Sequence, residues 1–240
     1  MRAKGFLVLA TVALIVVLVT LGSSAVASSG PTTCSGGEIK PGTYDGLLVT
    51  GTCSFVGDKV KINGDLVVAA GAALNDHAAS TTTVQVKGDV IVWDGGILGL
   101  GTYNPEVPHH SEVGGSIIAT NPTSLYVSFV KVHGDFLSSG GSGPGRNFPI
   151  KDNWIGGDLT LVGWTGFWSG LIRDTVGGSV LYSSNSGENP DSSEIMTNTI
   201  KGNLVCTGNT PAAFVNPADG GQLNVVGGIA TGECADDVAK

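Results

Sequence analysis

Val60-Lys61-Ile62-Asn63-Gly64-Asp65-Leu66 alternates apolar and polar residues and closes on Gly-Asp-apolar. The phrase returns as Val84-Gln85-Val86-Lys87-Gly88-Asp89-Val90 and as Val130-Lys131-Val132-His133-Gly134-Asp135-Phe136. Looser copies close on Gly115, Gly157, Gly178 and Gly202; with Gly228 as the last marker, the steps are 24, 27, 19, 23, 21, 24 and 26 residues. Repetition at such a period marks a solenoid, in which each unit buries its apolar face only by stacking on its neighbours. The spacing, without leucine-rich, ankyrin or WD signatures, predicts an all-β, right-handed parallel β-helix of about eight coils. Coils stack about 4.8 Å apart, so the eight markers span about 34 Å.

Side chains alternate across a strand, so Val60, Ile62, Leu66 and Val68 share one face, as do Val84, Val86, Val90 and Val92, and Val130, Val132 and Phe136. These are the expected core columns. Composition agrees: 38 of 240 residues are Gly, about twice the usual share, and Val, Thr and Ser favour strands and turns over helices.

Arg2 and Lys4 precede an apolar run from Phe6 to Leu21 and then Ala25-Val26-Ala27, the three parts of a secretory signal peptide over residues 1–27. The run is shorter than the roughly 20 residues of a spanning helix, so cleavage after Ala27 is expected, with an uncleaved membrane anchor as the alternative. Residues 28–240 then form a single β-helix domain, secreted or held at the cell surface; the Gly-rich stretch 138–145 is a turn within a coil, because the repeat continues on both sides. Cleavage removes Arg2 and Lys4 and no acid, which takes the formal charge from −8 to −10. No run of Lys and Arg offsets that charge, so nucleic acid is not an expected partner, and a membrane is one only if the leader is retained.

After each marker Gly stands Asp65, Asp89, Asp135 or Asp158, and elsewhere Ser116, Ser179 or Asn203. Stacked carboxylates could hold Ca²⁺. What Asp, Asn and Ser share, however, is a short acceptor for a backbone N–H at a turn, so the column is read as structural, with no cofactor assigned and Ca²⁺ as the alternative.

Four cysteines lie beyond the leader, an even number that suits an oxidising compartment. The stack places Cys34 and Cys53 at one end and Cys206 and Cys234 at the other, farther apart than the roughly 7 Å Cα separation a disulfide tolerates. That leaves the pairs Cys34–Cys53 and Cys206–Cys234, each about one coil apart.

The stretch Gly202-Asn203-Leu204-Val205-Cys206-Thr207-Gly208-Asn209-Thr210-Pro211-Ala212, followed by Val225-Val226-Gly227-Gly228 and Gly232-Glu233-Cys234, resembles the ending of a group of secreted bacterial proteins built from G-N-L and G-D-L repeats. The detailed similarity covers about the last 35 residues. It implies an exported β-helix with a disulfide-closed C-terminal end, and implies no activity.

Three clusters are candidates for chemistry. Trp154, Trp164, Phe167 and Trp168 fall within 15 residues and could stack on sugar rings as a ligand-binding ladder, or pack a corner. His110 and Glu112, near Glu106 and His109, could face one way and share a metal. Arg173-Asp174 is a fragment of a lyase-like site, and His133-Gly134 a fragment of a hydrolase motif, but the Arg-x-Lys and paired Asp that would complete the latter are missing from the body of the repeat. We therefore expect a non-catalytic structural or binding protein whose partner is an extracellular polysaccharide or a cell-envelope component. The rival is a polysaccharide-active enzyme, a lyase or glycoside hydrolase, on the same scaffold.

Overall fold

The computed structural model describes residues 30–75, 82–102 and 111–239. Its strands form three parallel sheets that share a continuous apolar interior. Among the described residues, the first sheet has ten strands and runs from Thr32–Cys34 to Ala230–Gly232, while the second and third each have nine. Every neighbouring pair is parallel, and sequence neighbours within a sheet are one coil apart, as in a parallel β-solenoid. Each of the eight marker glycines precedes a first-sheet strand; two more strands of that sheet, Thr32–Cys34 and Leu47–Val49, come before the first marker.

The repeat phrase forms the turn from the third sheet to the first. In the coil of residues 59–68, Val60 and Ile62 close the third-sheet strand Lys59–Ile62, and Leu66 and Val68 belong to the first-sheet strand Leu66–Val68; all four point inward and are fully buried. Val84, Val86, Val90 and Val92 repeat the arrangement one coil on, in direct register with them. Burial of such side chains contributes about 1.5 to 3 kcal/mol each, and a coil's inward side chains are covered only by the coils above and below.

The Gly-Asp pair at this turn has a steric and a hydrogen-bonding cause. Asp65 Oδ1 accepts from the backbone N–H of Asp89 at 2.9 Å, and Asp89 Oδ1 from that of Ser116 at 2.8 Å. Ser116, Asp135, Asp158, Ser179 and Asn203 continue the ladder, each accepting from the next coil, up to the N–H of Ile229. The arching side chain fills the space over the following glycine: a Cβ at Gly88 would lie 2.1 Å from Asp65 Oδ1, and one at Gly115 2.1 Å from Asp89 Oδ1. Serine and asparagine serve equally in this column, which is the structural role expected of it.

Disulfides join Cys34 to Cys53 and Cys206 to Cys234, with Cα separations of 6.5 and 5.5 Å. They tie down the end coils, which lack one stacking partner. Two disulfides suit an oxidising, extracellular environment. Among the described residues, no helix is long and apolar enough to cross a membrane. The expected leader and cleavage site, residues 1–27, lie outside the described residues.

Candidate functional site

The corner that leads from the second sheet into the third is built from four residues in the left-handed region, Phe129, Asp152, Arg173 and Thr197, with φ between 56° and 62°. Non-glycine residues seldom adopt this conformation. A buried amide ladder directly beneath holds it. Asn153 Oδ1 accepts from the N–H of Val130 at 3.0 Å, Asp174 Oδ1 from Asn153 at 2.9 Å, Asn198 Oδ1 from Asp174 at 2.8 Å, and Asn224 Oδ1 from Asn198 at 3.1 Å. Each Asn also donates through Nδ2 to an inner carbonyl: Asn153 to Val127, Asn198 to Leu171 and Asn224 to Ile195. Asp174 has no such donor when ionised, and its Oδ2 is buried with no hydrogen-bond partner. Burial raises its carboxyl pKa well above the usual carboxylate range, outweighing the hydrogen bonds from Asn153.

This stiff corner projects a set of side chains into solvent. Arg173 holds Asp152 in a bidentate fork, Nε to Oδ1 at 2.6 Å and Nη2 to Oδ2 at 2.7 Å, and that bond raises the guanidinium pKa further. On the adjoining third-sheet face, Lys131, Trp154 and Thr175 stand in consecutive register. The Lys131 ammonium lies 5.3 Å from the Trp154 ring centroid, and His133 meets the same ring edge-on at 5.7 Å. Together Phe129, Lys131, Asp152, Trp154, Arg173 and Thr175 line an open trough of about 610 Å³. An indole wall with cationic and hydrogen-bonding groups around it suits a ligand that is part apolar and part polar.

The four candidate aromatics do not form one ladder. Trp154 alone lies in the trough. Trp164 is fully buried at the corner that leads from the first sheet into the second, where its ring packs on Phe148 at 4.8 Å and its Nε1 donates to the Thr123 carbonyl. A second amide ladder through Asn185, Asn209 and Glu233 supports it, beginning with the Trp164 N–H donating to Asn185 Oδ1 at 3.0 Å. The corner-packing alternative therefore describes Trp164, which a surface ligand cannot reach. Phe167 is 40 % exposed on the second-sheet side. Trp168, also on that side, is half-buried, covers Gly170 and carries the Lys151 ammonium 4.6 Å above its ring. Burial, with Arg173 adding repulsion, holds the Lys151 pKa below its usual value.

Of the proposed metal pair, His110 lies outside the described residues. Glu112 instead pairs with His133 Nε2 at 2.7 Å and with Lys131 at 3.7 Å, and the His133 hydrogen bond lowers its pKa. No group of three or more His, Cys, Asp or Glu suited to a metal occurs among the described residues. Nor do Arg173 and Asp174 act together: Arg173 faces solvent with Asp152, while Asp174 is sealed in the corner ladder.

Sequence reading missed the neighbours of Trp154 because they come from separate coils. Only the phase of the repeat, which sets Lys131, Trp154 and Thr175 one coil apart at outward positions, could have found them. Comparison of the chain with protein-family models, with curated proteins and with solved structures returned no match.

Proposed function

We propose that this protein is an exported, non-catalytic glycan-binding β-helix, akin to secreted proteins with G-D-L and G-N-L repeats, and that it holds extracellular or envelope polysaccharide on the third-sheet face. The observation that carries the proposal is the trough around Trp154, where a partly exposed indole is flanked by Lys131 and the Arg173–Asp152 fork on a backbone braced by a buried ladder. A sugar ring offers an apolar face to the indole and hydroxyls to the fork, and a rigid platform reduces the ordering cost of binding. Export is supported by the two disulfides and by the leader-like N-terminus.

A glycan array probed with the mature protein, with and without Ca²⁺, tests the proposal. Binding should occur without Ca²⁺ and should be lost in Trp154→Ala while the melting temperature is kept. Equal binding by wild type and Trp154→Ala would refute the assignment to this trough. Release of new reducing ends from a bound glycan would favour the enzyme instead.

A further inference from the structure

The coil-by-coil register turns cations that are scattered in sequence into a continuous surface. The outward positions of the third sheet and its flanking turns carry Lys59, Lys61, Lys87, Lys131, Arg173 and Lys201. With Lys40, they are the seven of the nine described Lys and Arg that lie within two positions of a third-sheet strand, against five of the eighteen described Asp and Glu, namely Asp45, Asp58, Glu112, Asp152 and the buried Asp174; Asp65, Asp89, Asp135 and Asp158 stand at the far end of the turn, beside the first sheet. Glu112 and Asp152 are already matched by cations of the same face. An acidic chain, with formal charge −8, has thus sorted its positive charge onto one of three sides.

Two troughs follow one another along that side. Lys61, Gln85, Lys87 and Glu112 line the first, of about 430 Å³, and Lys131, Trp154, Arg173 and Thr175 line the second. The column Lys61, Gln85, Glu112, Lys131, Trp154, Thr175, Thr199 is in unbroken register. Its six steps of about 4.8 Å give a run of roughly 29 Å.

We infer that this face is a track for a linear polyuronate, a polysaccharide bearing a carboxylate on its sugar rings, lying along the axis of the stack. The inference rests on the glycan reading above and narrows it to charge and direction. Three features select the ligand. The rung interval is comparable to the length of one sugar ring, so successive sugars meet equivalent rungs. Lysines on both sides of Trp154 offer point charges to carboxylates. Arg173 shows planar carboxylate recognition in its fork with Asp152; two of its five N–H donors are engaged there, which leaves donors for a ligand carboxylate.

The test is tryptophan-fluorescence titration of the mature protein with polygalacturonate, its fully methyl-esterified form, a sulfated glycan and single-stranded DNA. Polygalacturonate should bind best. Its methyl ester, which keeps the sugar backbone and removes the charge, should bind at least about tenfold more weakly, and about 1 M salt, with a screening length near 3 Å, should weaken polygalacturonate similarly. The Lys61→Gln/Lys87→Gln variant, altered only in the first trough, should weaken binding of long chains by about twofold to tenfold and leave short oligomers and the melting temperature unchanged. Equal binding of the ester would overturn the charge inference and leave the glycan reading standing. Tighter binding of the sulfated glycan or DNA would overturn the choice of carboxylate, and an unaffected lysine variant would overturn the extended track. Absence of binding to every glycan would overturn both proposals.

Discussion

Replacing Asp174 by Asn should stabilise the protein at neutral pH, an unusual outcome for a change in a fully buried polar ladder. The ladder needs one acceptor toward the next coil and one donor toward an inner carbonyl at every rung. Asn153, Asn198 and Asn224 supply both, the donor reaching Val127, Leu171 and Ile195. Those three carbonyls are in register with that of Ile150, the one that a donor at position 174 would meet. Asp174 meets the requirement only as the neutral acid, the form that burial favours by raising its carboxyl pKa. The folded pKa lies above the unfolded one of about 3.9, so there is no penalty below that pH. As pH rises above it the unfolded chain ionises first, and stability is lost at up to about 1.4 kcal/mol per pH unit until the folded carboxyl itself ionises. On that slope Asp174→Asn, which carries no titrating group, should gain about 1 kcal/mol or more at pH 7, with a ceiling of about 4 kcal/mol, and almost nothing at pH 4. Urea unfolding of both proteins at the two pH values measures it. Equal stability at pH 7, or a gain that does not shrink at pH 4, would refute the neutral-acid ladder.

Other consequences follow from the same structure. Asp89→Asn should change stability by less than about 1 kcal/mol, while Asp89→Leu should cost about 1 to 3 kcal/mol by stranding the Ser116 N–H; Ca²⁺-dependent melting of the wild type that Asp89→Asn abolishes would reverse the structural reading of the column. Trp164→Ala should cost about 3 to 5 kcal/mol without altering the glycan affinity of the folded protein, the opposite of Trp154→Ala; unfolding curves and titrations on both variants separate the two roles. Opening either disulfide by a double Cys→Ser change should cost about 3 kcal/mol on loop entropy, read as a shift in the urea midpoint, and peptide mapping without reduction should recover only Cys34–Cys53 and Cys206–Cys234.

The solenoid was legible because its rule is local. One phrase sets the inward columns, the turn and the acceptor that bridges coils, and each recurs at a countable interval, so Val60, Asp65 and Val84 can be assigned without a partner in view. The cysteine pairs were legible for the same reason, since the coil count fixes distance along the axis. The corner ladders were not. Asn153, Asp174, Asn198 and Asn224 lie outside the phrase, are spaced by 21, 24 and 26 residues, and include one acid in the place of an amide. Trp154 and Trp164 could not be told apart by composition, because one stands at an outward strand position and the other at a corner whose ring folds under the turn. The basic face forms no run of charge in the sequence. Lys61, Lys87 and Lys131 sit inside copies of the phrase itself, at the outward positions that the alternation had already defined.

Hydrogen–deuterium exchange of residues 28–240, with and without polygalacturonate, tests most directly whether the third-sheet face is the functional surface. Added glycan should slow exchange in peptides that contain Val130–Val132, Trp154–Ile155 and Thr175–Val176 and the corner at Asp152 and Arg173, with first-sheet strands unchanged. Slowed exchange confined to the first-sheet face, or to the second-sheet side around Phe167 and Trp168, would contradict it.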